Sequence, residues 1–185
     1  MPVAPIMREI YREYLAHFGE PTHSIVYDDG KVLEGYPCRV DVFVWEPDED
    51  CEMCTFATIG MASVPLPKAK HRAELHFAVR RPLGKEQIAE VSRFLANLAM
   101  YPFQTGEPLD WWHTLSNPGK IPLYTSAECL LLHPRFVEGG WDRIKADEAC
   151  VHLLNVVPIT REEKDLRNID SILDRLQEID LFEPR

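Results

Sequence analysis

The sequence predicts an α+β fold in a single domain: a mixed, mostly antiparallel β-sheet packed with helices. Helical patterns of apolar residues occur near the start, the middle and the end of the chain, and runs of β-branched and aromatic residues lie between them. The 185 residues contain no internal repeat, low-complexity segment or linker. Residues 1–185 are therefore expected to share one core, which a chain of this length can support.

The first half of the chain begins with a predicted helix over residues 4–18, where apolar side chains recur at four-residue intervals. Strands are predicted next at residues 24–27 and 39–45, on either side of the turn signal Asp28-Asp29-Gly30. In the second of these strands valines alternate with aromatic residues, so both faces are apolar. A strand of that kind is expected to lie inside the sheet.

Two more strands are predicted at residues 55–59 and 73–79, separated by a proline-containing loop that suits neither a helix nor a sheet ladder. A helix follows, and its buried stripe is predicted to consist of Ile88, Val91, Leu95 and Leu98. This helix is expected to end near Tyr101, because the residue before Pro102 is disfavoured in the α conformation.

The last part of the chain is predicted to contain strands at residues 128–132 and 151–157. Thr160 and Glu163 then have the spacing of a capping box, which opens a final helix. The buried face of that helix is expected to consist of Leu166, Ile169, Leu173 and Leu176.

Charge and composition restrict the classes of function. The net charge is −10, from 30 acidic and 20 basic residues, which disfavours nucleic-acid binding because such binding needs Lys and Arg to neutralise phosphates. An acidic surface suits a basic protein partner, although it also simply keeps a protein soluble. No apolar run approaches the ~20 residues of a membrane span, and Glu9 stands where a signal peptide needs apolar residues. A cytoplasmic protein with reduced cysteines and no membrane partner is therefore expected.

Cys51 and Cys54, with His71 and His76 downstream, superficially have the spacing of a Cys₂His₂ zinc site. The two histidines lie in or beside a predicted strand, however, and their odd separation places the side chains on opposite faces. No metal is therefore expected. The four residues are interpreted as ordinary thiols near a loop and as surface or edge histidines.

Three other histidines, His113, His133 and His152, could in principle combine with Cys129, Cys150 or a carboxylate in a nucleophilic or metal site. Their spacing does not require it. His152 alternates with two apolar residues on a strand and is expected to face away from both, whereas His113 suits a core hydrogen bond and a surface contact equally well. The sequence has no phosphate-binding loop or nucleophile elbow, so no catalytic residue and no cofactor is assigned.

The segment from Tyr101 to His113 carries two adjacent tryptophans, Trp111 and Trp112, in what its prolines and glycine mark as a loop. Burying one such ring removes roughly 150–250 Å² from water, so the loop is expected either to plug the core or to present an aromatic surface to a partner. Adjacent side chains on an extended chain point in opposite directions, and one ring can therefore do each.

Several segments of the chain occur in the order found in one protein family. They are Asp41–Pro47, Thr55–Ser63, Arg72–Leu75, Tyr101–Phe103, Asp110–His113 and Leu153–Glu163. Over nearly its whole length, the sequence resembles a bacterial suppressor-of-fused domain.

The resemblance implies a non-catalytic protein-binding domain. In the larger animal members of the family a second domain follows, and a partner peptide is held between the two domains as an added strand. Stand-alone bacterial members look like immunity proteins that neutralise a cognate toxin, and an acidic surface would suit a basic toxin. A general assembly module, and an enzyme whose active site has no recognisable motif, remain as alternatives.

If the chain binds another protein, the partner-binding residues are expected to lie in the aromatic loop, at Asp110, Trp111, Trp112 and His113. Trp112 is expected to anchor the loop in the core, because the Trp-His pair is what the larger family members share. Trp111 is then the ring that faces the partner.

Overall fold

A computed structural model of the chain describes residues 4–28, 30, 33–135, 140–146, 149–166, 168–177 and 179–185. Asp29, in the predicted turn, lies outside the described residues. The helices are α1 (Pro5–Phe18), α2 (Lys85–Thr105), α3 (Arg161–Lys164) and α4 (Ile169–Gln177). The strands are β1 (His23–Tyr27), β2 (Val40–Trp45), β3 (Cys54–Ile59), β4 (Arg72–Val79), β5 (Thr114–Ser116), β6 (Cys129–His133), β7 (Arg143–Ala146) and β8 (Ala149–Ile159). None of the helices in these ranges is long and apolar enough to cross a lipid bilayer.

Within the described residues, eight strands form one sheet in the order β1-β2-β3-β4-β8-β6-β5, and β7 pairs with β8. Every pair is antiparallel except β4 with β8, which is parallel. Strand β8 is long enough to carry two neighbours on one side, because β7 pairs with its first residues and β6 with its last. The predicted fold, an α+β domain with a mixed and mostly antiparallel sheet, is confirmed.

Helix α2 covers one face of the sheet, and the largest part of the core lies between the two. Alternate residues of each strand point to this face, and the apolar stripe predicted for α2 is buried against them. The sheet side of this cluster includes Val42, Phe56, Leu75 and Leu154. Strand β2 lies between β1 and β3, so the prediction that it is inside the sheet is confirmed.

Helices α1 and α4 share the opposite face. Helix α1 packs Ile10 and Tyr14 against Trp45 of β2, and the Tyr14 hydroxyl donates a hydrogen bond to the Thr58 carbonyl over 3.1 Å. Further along the sheet, α4 packs Ile172 and Leu176 against side chains of β6 and β8. The sheet is therefore covered on both sides, which explains why its inner strands read as nearly continuous apolar runs.

The prediction that helix α2 ends near Tyr101 is wrong. The helix continues through Pro102 to Thr105. A proline inside a helix costs about 3 kcal/mol, but Pro102 and Phe103 are both buried in the core, and burying an aromatic side chain contributes about 1.5–3 kcal/mol. Gly106 then ends the helix in the left-handed conformation, with φ of 73°, and its N–H donates to the Pro102 carbonyl.

The predicted final helix is two helices. The capping box is confirmed, since the Glu163 N–H donates to Thr160 Oγ1 over 3.1 Å and the Thr160 N–H donates to Glu163 Oε2 over 2.8 Å. Only one turn follows, however, and Leu166 is exposed rather than buried. The reason is local: Asn168 Oδ1 accepts a hydrogen bond from the Ser171 N–H over 2.9 Å and starts α4 as a new helix.

Strands β5 and β7 were not predicted, and β8 is longer than the predicted 151–157. β5 has three residues and β7 has four, of which only one in each is fully buried. Segments this short contain too few alternations to give a period-2 signal. They are stabilised by their neighbours in the sheet rather than by their own pattern.

Candidate functional site

The turn that begins at Asp110 joins the region after α2 to strand β5. The His113 N–H donates to the Asp110 carbonyl over 3.3 Å, which closes a four-residue turn. Beyond it, the Trp112 N–H donates to the Leu132 carbonyl over 2.6 Å, and the Leu132 N–H donates to the His113 carbonyl over 2.9 Å. The turn therefore extends the pairing of β5 with β6 at the edge of the sheet.

Trp111 anchors this turn to strand β8. Its indole Nε1–H donates to the Leu153 carbonyl over 3.0 Å, and its ring is stacked on the imidazole of His152 with the centroids 4.0 Å apart. The guanidinium carbon of Arg143 lies 5.1 Å from the Trp111 ring centroid, within cation–π range. The ring is half-buried and packs against the α2-side core.

Trp112 is the outward ring, so the expectation that it anchors the loop is wrong. Its side chain is 42% exposed, and its described ring contact is an edge-on approach to His133 at 4.7 Å. Its φ is 69°, a left-handed conformation that L side chains rarely adopt. Trp112 is the third residue of the turn, and a third residue with positive φ is usually Gly or Asn. The turn geometry, which the sequence pattern does not reveal, decides which ring is buried.

Asp110 holds the turn from the other side. Its Oδ1 accepts hydrogen bonds from the Trp111 N–H over 2.8 Å and from His152 Nδ1–H over 3.0 Å, and His71 Nε2 lies 3.7 Å away. Partial burial raises the pKa of Asp110, but the Trp111 N–H, the His152 hydrogen bond and the two imidazoles together outweigh it. The pKa of Asp110 is therefore lowered, and the carboxylate is ionised at neutral pH.

His152 lies between two other rings. The His71 imidazole is nearly parallel to it, with a centroid distance of 4.4 Å and an angle of 12° between the planes, and Trp111 stacks on its other face. His71 is held in turn by a 3.0 Å hydrogen bond from its Nε2–H to the Leu109 carbonyl. We call Asp110, His71, His152 and Trp111 the clasp.

Among the described residues, the three polar members of the clasp are the one group of three or more His, Cys, Asp or Glu residues whose ligand atoms lie within 4.8 Å of one another. The geometry does not suit a metal ion. Imidazole lone pairs lie in the ring plane, and one ion cannot lie in two nearly parallel planes. In addition, the nitrogens nearest Asp110 carry hydrogens, because a carbonyl or carboxylate partner can only accept.

His71 and His76 lie on opposite faces of the sheet, as their odd separation predicts. His76 lies on the α1 side of the sheet, 5.4 Å from the Phe18 ring, whereas His71 lies beside Leu109 on the α2 side. Cys54 is buried and Cys51 is exposed on the preceding loop. Neither thiol joins a histidine in a metal-compatible group within the part of the chain that the structure describes.

The structure places His113, His133 and His152 in different surroundings. His152 faces away from its apolar neighbours, as predicted, whereas His113 is exposed beside the turn. His133 Nδ1 accepts a hydrogen bond from the Arg135 N–H over 3.1 Å. Burial is the main cause that lowers the pKa of His133, so its imidazole is neutral at pH 7. Cys129 is buried under α4, and Cys150 is exposed.

The sequence alone could not reveal the clasp. His71 and Asp110 are 39 positions apart and His152 is 42 positions beyond Asp110. They meet because β4 and β8 pair in parallel, with Ala73 opposite His152, and because the turn folds back onto β8. The sequence pattern indicates which face of its strand each residue occupies. It does not indicate which strands are neighbours in the sheet.

The sequence matches the family model for Suppressor of fused protein (SUFU) over residues 37–184. No curated protein sequence matches it.

Solved structures share the fold at low sequence identity. A protein described as a SUFU (suppressor of fused protein) homolog from Neisseria gonorrhoeae FA 1090 matches with a TM-score of 0.69 and 17% identity, over 95% of this chain and 92% of that chain. Suppressor of Fused from Drosophila matches with a TM-score of 0.61 and 15% identity, over 97% of this chain and 48% of that chain. A chain of the Sufu-Fu complex matches with a TM-score of 0.59 and 13% identity, over 95% of this chain and 83% of that chain.

The family match covers most of the chain, from the segment before β2 to the residues after α4, and includes the turn and the clasp. The chain belongs to the suppressor-of-fused family.

Proposed function

We propose that this chain is a non-catalytic protein-binding domain, and that its partner contacts the Asp110–His113 turn at the exposed ring of Trp112. The observation that carries the proposal is the conformation of Trp112, an exposed tryptophan with a φ of 69° at the edge of the sheet. Left-handed backbone at a residue other than glycine costs on the order of 1–3 kcal/mol and is concentrated at functional sites.

Trp112 contributes little to folding that would offset this strain. Its neighbour Trp111 makes the hydrogen bond, the stacking contact and the cation–π contact that hold the turn. An exposed aromatic ring on a rigid support is instead typical of a residue that dominates the binding energy of an interface.

The edge of the sheet supports the same proposal. Among the described strands, β5 is the last on its side of the sheet, and an edge strand offers N–H and C=O groups to which an extended segment can pair. One relative of known structure belongs to the Sufu-Fu complex, and we propose that this chain likewise binds another protein.

The partner that we favour is a bacterial toxin, which would make this chain an immunity protein. Support comes from the resemblance to stand-alone bacterial members, and the net charge of −10 would attract a basic toxin. The features closest to catalytic machinery are Asp110 and His152, which could in principle act as an orienting carboxylate and a base. Both faces of the His152 ring are covered by other rings, and we therefore assign the pair to holding the turn.

The test is affinity capture from native lysate with three forms of the chain: the wild type, Trp112→Ala and Tyr101→Ala. Tyr101 is the matched control, because it is also an exposed aromatic residue, at 38%, but lies on α2 in ordinary helical backbone. A captured partner should bind Trp112→Ala more weakly by about 1–2 kcal/mol or more and should bind Tyr101→Ala as it binds the wild type.

The toxin assignment has its own readout. If the captured protein arrests growth when it is expressed alone, co-expression of the wild type should restore growth and co-expression of Trp112→Ala should do so less well. A partner that binds all three forms equally would place the binding surface elsewhere. A captured protein without toxicity would leave a binding domain and remove the immunity role.

A further inference from the structure

We propose that the segment of the partner that contacts the turn is acidic, although the chain as a whole is also acidic. The inference rests on the proposed function at Trp112 and specifies the chemistry of the partner there. It follows from a row of arginines near Trp112 and from a cavity that two exposed arginines line.

The row can be traced through consecutive contacts. The ring of Trp112 meets the His133 imidazole at 4.7 Å, and His133 accepts a hydrogen bond from the Arg135 N–H. Arg135 Nη2 lies 2.5 Å from Asp142 Oδ2, and the other oxygen of Asp142 lies 3.1 Å from Arg143 Nε. One carboxylate therefore serves two guanidiniums, and the guanidinium of Arg143 in turn lies over the anchored indole of the clasp.

The exposed part of this row is cationic. The side chains of Arg135 and Arg143 are 40% and 46% exposed, whereas that of Asp142 is 16% exposed. Arg80 lines the same cavity as His133 and Arg135 and is 44% exposed, and its partner Asp180 is 35% exposed. Among the described residues, three guanidiniums thus face solvent, and the two carboxylates that pair with them are less exposed.

A cavity of about 600 Å³ lies beside His133, between α4 and the sheet. Arg80, His133 and Arg135 stand in its wall with Asp180, the ion-pair partner of Arg80, and its other lining residues are mostly apolar, including Val157 and Leu173. A pocket with an apolar floor and arginines in its wall fits a bulky apolar side chain next to a carboxylate.

These features together specify the occupant. An extended segment that pairs beside Trp112 would run past His133, place Asp or Glu side chains against Arg135 and Arg80, and insert an apolar residue into the cavity that both arginines line. Such a segment gains charge-assisted hydrogen bonds that a basic segment could not form. A basic toxin, if it is the partner, must therefore contact this surface through an acidic stretch of its own.

The experiment is a selection from a phage-displayed library of random 12-residue peptides on the immobilised wild-type chain, and the probe afterwards is the most strongly enriched peptide, made synthetically. We expect enriched peptides to contain more Asp and Glu than Lys and Arg, and to contain bulky apolar residues. Binding should weaken about tenfold or more in Arg135→Glu and Arg80→Glu, as reversal of charges in an interface does, and should weaken with rising salt.

Two controls keep the result interpretable. Arg93→Glu reverses the charge of an exposed arginine on α2 and should leave the affinity within about twofold of the wild type, since isolated surface charges matter little. Because these charge reversals also remove the ion pairs with Asp142 and Asp180, the milder Arg135→Gln and Arg80→Gln variants are measured too, after thermal melts confirm that each is folded. These should also weaken binding.

Enriched peptides that are basic or uncharged, no enriched peptide at all, or charge reversals that leave affinity unchanged would overturn the inference. If the selected peptide requires Trp112 but not the arginines, the inference fails and the proposed function stands. If the peptide requires neither, both fail.

Discussion

The indole of Trp111 lies parallel to the imidazole of His152, at 10° and with the ring centroids 4.0 Å apart, while its N–H donates to the carbonyl of Leu153, 42 positions along the chain. Two adjacent residues of β8 thus hold the side chain of a single turn residue. The next residue, Trp112, has a left-handed backbone and an exposed ring. One turn therefore holds a fastened ring and an exposed ring side by side.

The two tryptophans should respond oppositely to truncation. Trp111→Ala should lower the free energy of unfolding by about 3–5 kcal/mol, as for other large aromatic residues that pack against a core. Trp112→Gly should leave stability unchanged or raise it by up to about 1 kcal/mol, because glycine adopts positive φ without strain. Urea denaturation of the two single variants measures both values. A large loss of stability in Trp112→Gly, or none in Trp111→Ala, would contradict the assignment of anchor and exposed ring.

Glu74 should make stability depend on pH near neutrality. It is fully buried and accepts hydrogen bonds from Thr58 Oγ1 over 2.7 Å and from the N–H groups of Gly60 and Ala62 over 2.7 and 3.0 Å. Burial nevertheless dominates and raises the pKa of Glu74 from 4.5 to about 7. Between those two values the folded chain binds a proton that the unfolded chain does not bind, so the contribution of Glu74 is complete below pH 4.5 and is lost as the pH rises through 7.

Glu74→Gln removes this titration while keeping an oxygen for the two backbone N–H groups. Between pH 4.5 and pH 8, the stability of the wild type relative to this variant should fall by on the order of 3 kcal/mol. Urea denaturation at half-unit pH steps gives the two curves. Parallel curves would show that Glu74 does not titrate in this range.

Thr160 should contribute to stability as a helix cap even though α3 is one turn long. Its hydroxyl and the Glu163 carboxylate satisfy two backbone N–H groups, and Glu163 also forms an ion pair with Arg185 at 2.7 Å. Thr160→Ala should cost about 0.5–2 kcal/mol, whereas Thr160→Ser, which keeps the hydroxyl oxygen, should be nearly neutral. Thermal melts of both variants are the measurement, and equal, negligible effects would exclude a capping role.

The purified protein should contain no stoichiometric zinc and should keep its melting temperature in a chelator. The two histidines of the rejected Cys₂His₂ pattern lie on opposite faces, and the clasp, the described group nearest to a metal site, has parallel imidazoles. Elemental analysis provides the test. If one equivalent of zinc is found, its loss in His152→Ala would place it in the clasp, and the hydrogen-bonded description of Asp110 would be wrong.

Much of the fold could be predicted from the sequence. The helix at residues 4–18 and the strands at 24–27, 39–45, 55–59 and 73–79 lie within two residues of their observed bounds. Each has an apolar period that matches one kind of backbone, and that period reflects burial on one or both faces. The capping box could be predicted as well, because Thr160 and Glu163 are only three residues apart.

Local rules failed where contacts with distant residues outweighed them. Helix α2 passes through Pro102 because its next residues are buried, and the predicted last helix divides at Asn168, whose side chain caps a new one. Strand β5 has too few residues to give a pattern and exists because β6 lies beside it.

For the candidate site, the residue pattern was enough to predict that two aromatic rings share one short segment and that the domain holds one of them. The folded sheet was needed to show that Trp111 is the held ring and that Asp110 meets His71 and His152. A turn can direct adjacent side chains to either side, and the local sequence does not decide between them. The choice depends on a stacking surface and a carbonyl acceptor from β8, which the folded sheet brings to the turn.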